Sequence, residues 1–418
     1  MNSIFKIALL LLVAPMCTSL FASEVIKSTA PKNLKQFIQS VLVNHPRLLE
    51  ARAGLEMANA NLTAATQPLY NPEIEIDSEK TDIKTSYLQL SQTIDIGDKQ
   101  GARTKVSQSV FQQAQAEYTL AIQQLAHDLL LAIAQQQTRE EIYKLAQKNL
   151  ELMKEFADLS EQRHQAGDLS QVELNLARLA FSEVIMTYAQ AASESTSANE
   201  SLRAILGSSP DALPKLPEKL PEARIPDDQE KFLRNLPALR AQQSGVESAR
   251  QTVKLRMSEQ SWDPTISLRG GKEDKETLAG LTLTIPLNIR NSYKAELQVA
   301  QQQLLQSEYQ ALQFYRELRA KILTSTKRYQ LLQDTWGKWQ QTGKTSVTEQ
   351  LKLIKQLWKA GDMSTTDYLV QLKQAIDTQT AGFELRGELW QSAFDWMNKT
   401  SNITTWLNLD LTDINQDK

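Results

Sequence analysis

The chain has 418 residues, a formal net charge of −3, 41% hydrophobic and 23% charged residues, and a mean hydropathy of −0.40. This balance excludes a polytopic helical membrane protein and gives no basic surface for nucleic acid. Ala, Gln and Leu dominate, a usage suited to long helices.

At the N-terminus, Lys6 precedes an apolar run from Ile7 to Ala14, and Ser19-Leu20-Phe21-Ala22 offers a small residue for cleavage. Residues 1–22 therefore read as a secretory signal peptide. Cys17 offers a rival reading as a lipidated N-terminus. It is the sole cysteine, so a chain cleaved after Ala22 has no disulfide to stabilise it outside the cell. No later run of about eighteen apolar residues is long enough for a transmembrane helix.

Prolines punctuate the rest of the chain. Five of the thirteen fall within SSPDALPKLPEKLPEARIPDD, residues 208–228, which read as a linker. The segments on either side, 23–207 and 229–407, read as two copies of one structural repeat, with 408–418 a polar tail. Asn44-His45-Pro46 matches Asn235-Leu236-Pro237, Pro72 matches Pro264, and Thr93-Ile94-Asp95-Ile96 matches Thr284-Ile285-Pro286-Leu287. Ala166-Gly167-Asp168-Leu169-Ser170 matches Ala360-Gly361-Asp362-Met363-Ser364. The nearly constant spacing of these four anchors marks a duplication.

Each repeat opens with a helix that has proline near its first turn. The helix stops at an aromatic-Asx-Pro step, Tyr70-Asn71-Pro72 or Trp262-Asp263-Pro264. Two alternating strands come next, expected at 73–78 and 85–96, then at 264–269 and 278–287. Their connections are expected to be SEKTDIK and GGKEDKE. A very long helix succeeds them, from about 99 to 165 and again from about 292 to 359. At 1.5 Å per residue each reaches about 100 Å. In the second, Leu318, Ile322, Ser325, Tyr329, Leu332, Trp336 and Trp339 form a heptad seam. An Ala-Gly-Asp turn then reverses the chain into a return helix capped by Ser170 or Ser364. The opening and return helices together nearly match the long one, which predicts an antiparallel layer.

No nucleophile–base pair, paired acids or phosphate loop is recognisable, so no enzyme, catalytic residue or cofactor is indicated. Gly270-Gly271-Lys272 reads as a hairpin turn. His45, His127 and His164 have no ligand spacing, and Met153, Met186, Met257 and Met363 do not cluster, so no metal site is indicated.

Four strands cannot close a barrel, and open sheet edges are not tolerated in lipid. If the hairpins enter a membrane, three chains supply a shared wall of twelve strands, and Tyr70 and Trp262 lie at the membrane interface. The alternative is a small soluble sheet on a periplasmic coiled-coil scaffold or adaptor.

The duplicated order of elements, the Pro-rich linker and the Gly-Asp turns resemble outer-membrane efflux proteins of the TolC type over nearly the whole chain after residue 22. Asn71-Pro72-Glu73-Ile74 and the stretch Ser91 to Lys99 resemble the heavy-metal branch (cobalt–zinc–cadmium, CzcC-like). That branch has a second glycine where Asp98 stands and an arginine where Gln100 stands. The resemblance implies a mainly α protein with a small β part: a periplasmic tunnel of long antiparallel helices and a shared trimeric twelve-stranded outer-membrane barrel. It implies a homotrimer in outer-membrane lipid, docked to a periplasmic adaptor and an inner-membrane pump. The implied cargo is heavy-metal cations, with drugs or secreted proteins as alternatives. It also implies adaptor contact at the tip turns Gly167, Asp168, Gly361 and Asp362. Asp367, and Glu173 as its equivalent in the first repeat, become candidates for the tunnel constriction. Val370 stands where the family type has a second acid.

Overall fold

The computed structural model describes residues 29–208, 212–225 and 228–409. The expected signal peptide and nearly all of the C-terminal tail lie outside the described residues.

The first repeat runs α1 (Lys32–Asn44), α2 (Pro46–Thr66), β1 (Glu73–Lys80), β2 (Lys84–Thr93), α3 (Lys99–Gln165) and α4 (Gln171–Leu206). The second runs α5 (Gln229–Asn235), α6 (Pro237–Ser258), β3 (Thr265–Glu273), β4 (Glu276–Thr284) and α7 (Lys294–Lys338). A π turn (Trp339–Gly343), α8 (Lys344–Ala360), α9 (Thr365–Lys399) and α10 (Ile403–Trp406) complete it. Each repeat thus starts with two helices meeting at a proline. Pro46 fits the first turn of α2 because that position has no intrahelical partner for an N–H. His45 fixes the join: its Nδ1 accepts from the Arg47 amide at 3.2 Å, which leaves Nε2–H to donate to the Ile205 carbonyl at 3.0 Å.

Helix α3 is the spine. Its 67 residues extend about 100 Å. The end of α2 is bound to its start, where Thr104 and Arg103 donate to carbonyls of Ala64, Ala65 and Gln67. Helix α4 returns along its far half, held by Arg178–Glu161 and by Tyr143 against Tyr188. Helices α6 and α9 also pack on α3, and α7 lies against α6 and α9.

The second spine is not continuous. Trp339 opens the π turn between α7 and α8, and its ring lies against Gly343 and Gly382, with no room for a Cβ at either. The heptad seam of α7 is still the buried face: Leu318, Ile322 and Tyr329 are buried, and Leu332 and Trp336 pack against the central core.

That core joins Leu34, Ile38 and Leu42 of α1 to Leu125, Leu129 and Ile133 of α3 and to Phe394, Trp396 and Met397 of α9. The Pro-rich stretch lies against it as an ordered strap. Leu216 and Ala223 are buried, the Tyr329 hydroxyl donates to the Pro221 carbonyl at 2.6 Å, and Trp390 Nε1 donates to that of Pro217 at 3.1 Å. Proline carbonyls without neighbouring amide donors are good acceptors for such buried groups. Burial raises the Tyr329 phenol pKa, which keeps it a donor.

The strands form one antiparallel sheet in the order β1-β2-β3-β4. Both hairpins are longer at their closed ends than the alternation indicated, because pairing runs on to Lys80↔Lys84 and Glu273↔Glu276. They are shorter at their open ends, with β2 and β4 stopping at Thr93 and Thr284. Gly270, Gly271 and Lys272 therefore belong to β3, and the turn is Asp274-Lys275. Gly271 is needed within the strand because a Cβ there would meet Tyr87 Cα at 2.6 Å.

Two glycine replacements test this packing. A Cβ at Gly382 would stand 2.5 Å from the Trp339 ring, so Gly382→Ala is expected to cost about 1–3 kcal/mol. Gly54, inside α2 with open space around it, is expected to gain about 0.5–1 kcal/mol as Gly54→Ala. Denaturation midpoints followed by circular dichroism should move in opposite directions.

Candidate functional site

Strand side chains alternate between two faces, so the sheet register sorts every residue. One face carries the row Ile74, Leu90, Leu268 and Leu281, which are paired in that order across all four strands. Ile76 and Leu88 stand beside it, as do Ile266 and Leu283. All are exposed, from 40% at Ile266 to 80% at Ile76. Apolar alternation continues past the ladders through Ile94 and Ile96, and through Ile285, Leu287 and Ile289, all of them exposed.

The opposite face is polar. Glu73, Glu75, Asp77 and Glu79 line β1, facing Ser91, Gln89, Tyr87 and Thr85 of β2. Gln89 donates to Glu75 at 2.9 Å and Tyr87 to Asp77 at 3.1 Å. Ser91 and Ser267 share a hydrogen bond, as do Thr93 and Thr265. Arg269 is the single cation among the paired residues of this face, lying over the Tyr87 ring. An exposed apolar face opposite a polar one has the pattern of a barrel wall between lipid and water. Its outer strands, β1 and β4, each have one edge without a strand partner among the described residues.

Where helix passes into strand, a compact polar contact joins the two repeats. Asp263 is buried, and its Oδ2 accepts from Tyr70 Oη at 2.5 Å and from Lys99 Nζ at 2.7 Å. The Asp263 hydrogen bond, followed by burial, pushes the Tyr70 phenol up to about 12. Lys99 also donates to the Ser261 carbonyl. Asp95 caps α3, its two carboxylate oxygens accepting from the amides of Lys99 and Gln100. The two junction aromatics thus differ: Tyr70 is turned inward by its bond to Asp263, while Trp262 is 45% exposed. The roles of Asp263 and Lys99 are not legible in the sequence. Asp263 looks like a turn residue of the Asx-Pro step, and Lys99 like an ordinary helix start.

At the far end of the helices, Gly167 and Gly361 have φ of +87° and +84°, and each closes a helix. The Asp168 amide reaches back to the Arg163 carbonyl at 2.8 Å and that of Asp362 to Leu357 at 3.0 Å, the six-to-one bond of a Schellman turn. Glu173 and Asp367 occupy the same place in the next helices. Glu173 accepts from the amide and hydroxyl of Ser170, which holds its carboxyl below the usual range. Asp367 accepts from the Ser364 hydroxyl at 2.7 Å. Both are first-turn residues, Asp367 exposed and Glu173 half-buried, and each cap serves its own helix. Val370 is 60% exposed. Phe156 of α3 contacts Trp358 and Tyr368, at ring separations of 4.6 and 5.0 Å, and ties the two tips together.

The histidines serve the scaffold: His127 Nε2 meets Asp395 at 2.8 Å and His164 Nδ1 meets the Leu169 carbonyl at 2.8 Å. Among the described residues, no group of three His, Cys, Asp or Glu is arranged to hold a metal ion, and no helix is long and apolar enough to cross a membrane.

Residues 37–208 match the family model described as outer membrane efflux protein. The cobalt-zinc-cadmium resistance protein CzcC of Cupriavidus metallidurans is 26% identical over 293 residues, spanning 64% of this chain and 69% of that one. Among solved structures, the Campylobacter jejuni outer membrane channel CmeC superposes with a TM-score of 0.75 at 16% identity, over 93% of this chain and 94% of that one. CusC gives 0.74 at 15% identity, over 90% and 93%. VceC of Vibrio cholerae gives 0.71 at 16% identity, over 88% and 95%.

The junction contact is directly testable. Asp263→Ala leaves Lys99, whose side chain is 14% exposed in the intact contact, without its carboxylate, at an expected cost of about 3–5 kcal/mol. The double variant Lys99→Met/Asp263→Leu is expected to recover part of that loss. Urea midpoints for the two single variants and the double variant measure the coupling.

Proposed function

We propose that this chain, an outer membrane efflux protein by its match over residues 37–208 and by its fold, is the trimeric exit duct of a tripartite RND-type efflux system for heavy-metal cations. Localisation in the outer membrane follows from the family, and the protein is a conduit rather than an enzyme. The observation that carries the reading is the sheet: one face apolar and exposed, the other polar, and both outer edges without a strand partner among the described residues. Three copies joined β1 to β4 satisfy those edges as a twelve-stranded barrel. The long helices then surround the same axis below it, as a tunnel through the periplasm.

In this reading the apolar rows meet lipid and the carboxylates of β1 line the lumen. Tyr70 and Trp262 mark the boundary between the helical body and the membrane. The turns at Gly167-Asp168 and Gly361-Asp362 are the points nearest a periplasmic adaptor and its inner-membrane pump. Asp367, with Glu173 as its equivalent, narrows the tunnel at that end. A ring of three carboxylates there would attract cations and repel one another.

The cargo assignment rests on CzcC and on the negative wall of β1, where Glu73, Glu75, Asp77 and Glu79 share one face. A duct needs no metal ligands, since the pump selects what enters it. Cations passing an acidic wall meet a favourable potential without being held.

Two experiments test the proposal. Leu268→Arg places a charge on the lipid face, where it costs about 2–4 kcal/mol, whereas Gln89→Arg places one in the lumen. Outer-membrane fractionation should show loss of assembled Leu268→Arg protein and normal assembly of Gln89→Arg. A monomer that gives no conductance in bilayers would sink the duct reading. For cargo, a deletion strain is expected to lose tolerance to zinc, cobalt or cadmium while keeping its tolerance to drugs. The reverse pattern would make the channel a drug duct.

A further inference from the structure

We propose that Lys80, Lys84 and Lys272 form a docking surface for phosphate-bearing lipid headgroups at the outer end of the sheet. The inference rests on the sheet being a membrane wall whose hairpin ends point away from the helices.

The register places all three lysines on the apolar face. Moving away from the helices, that face of β1 reads Ile74, Ile76, Ser78, Lys80. On β2 it reads Leu90, Leu88, Ser86, Lys84, and on β3 Ile266, Leu268, Gly270, Lys272. These three strands thus pass from apolar through small to cationic, while β4 reads Leu283, Leu281, Ala279, Thr277. Charge is also sorted by face. At the paired positions of this level the charged residues of the opposite face are Glu79, Glu273 and Glu276, and those of the apolar face are the three lysines; Asp82, Asp274 and Lys275 lie in the turns beyond the ladders.

A second observation calls for an anion. Lys80 and Lys84 are direct cross-strand partners, a like-charge pairing that is unfavourable on its own. All three lysines are exposed, and among the described residues none has a carboxylate partner. An anion shared between the lysines offsets that repulsion.

Geometry selects a lipid headgroup over a soluble anion. Lys272 is two residues beyond the apolar row Leu88–Gly270, about 7 Å along the strand, and the Lys80–Lys84 pair is about 13 Å beyond it. The headgroup layer begins where the apolar band ends and is about 5–8 Å deep. The flexible lysine stems can bend back toward it. A polyanion arriving through the lumen would instead face the carboxylates.

The test uses the full-length trimer in detergent micelles supplemented with equal amounts of dioleoylphosphatidylcholine and dioleoylphosphatidylglycerol, with bound lipids counted by native mass spectrometry. The wild type should retain phosphatidylglycerol preferentially, also in the presence of inorganic phosphate. K80Q/K84Q/K272Q should weaken that preference about fivefold for each lysine removed, and the corresponding Lys→Arg triple variant should keep it. Equal preference in wild type and the Gln variant overturns the proposal, as does its loss in the Arg variant. Displacement of the lipid by inorganic phosphate marks a free-anion site and also overturns it. Flotation with pure phosphatidylcholine vesicles separates the two readings. A wild type that fails to insert overturns the membrane wall and this proposal together, whereas insertion without lipid preference overturns this proposal alone.

Discussion

Backbone amides and carbonyls in hydrocarbon must find partners within the protein, and a four-stranded sheet cannot satisfy its own edges. The rest of the molecule follows from this constraint. In the proposed membrane wall, the outer strands β1 and β4 require other strands beside them, and the functional unit is larger than one chain. Copies that meet around an axis also bring their long helices together. The helix α3, about 100 Å in length, then sets the depth of the assembly.

A wall built this way needs its two hairpins held in one register. The ladder between β2 and β3 is the sheet contact between the repeats, and it begins beside Tyr70, Lys99 and Asp263. Tyr70 precedes β1, Asp263 precedes β3, and Lys99 begins α3. One buried carboxylate thereby ties both strand entries to the spine. Breaking such a contact leaves a charge without a partner in a confined space, so its value is greatest in fixing geometry. At the opposite end, Glu173 and Asp367 are engaged by the serines that cap their helices. That structural role accounts for their position by itself. A role in the tunnel would draw on the same fixed carboxylates.

Much of this was legible in the sequence because each signal was local. Helix α3 runs from Lys99 to Gln165, as its uninterrupted pattern indicated, and Ser170 and Ser364 cap the helices after the tip turns. Alternation located all four strands. Four features were not legible. The π turn at Trp339 depends on Gly382, a residue of another helix. The Pro-rich strap has the composition of a free linker, and it is fixed to the core by the burial of Leu216 and Ala223 and by hydrogen bonds from partners far away in the chain, Tyr329 and Trp390 among them. The hairpins end later than polarity indicated because the alternation there is between charges of opposite sign rather than between apolar and polar residues. The contact at Asp263 unites residues far apart in the chain, so no local pattern marks it.

The central claim is that one face of the sheet meets lipid and the other meets water. Single nitroxide labels at each position from 265 to 273 of β3, in the reconstituted protein, test it most directly by power-saturation measurements with oxygen and with a water-soluble nickel chelate. The account predicts a period of two, with oxygen accessibility highest at 266, 268, 270 and 272 and nickel accessibility highest at the odd positions. Accessibilities to the two reagents that rise and fall together along the strand would contradict it.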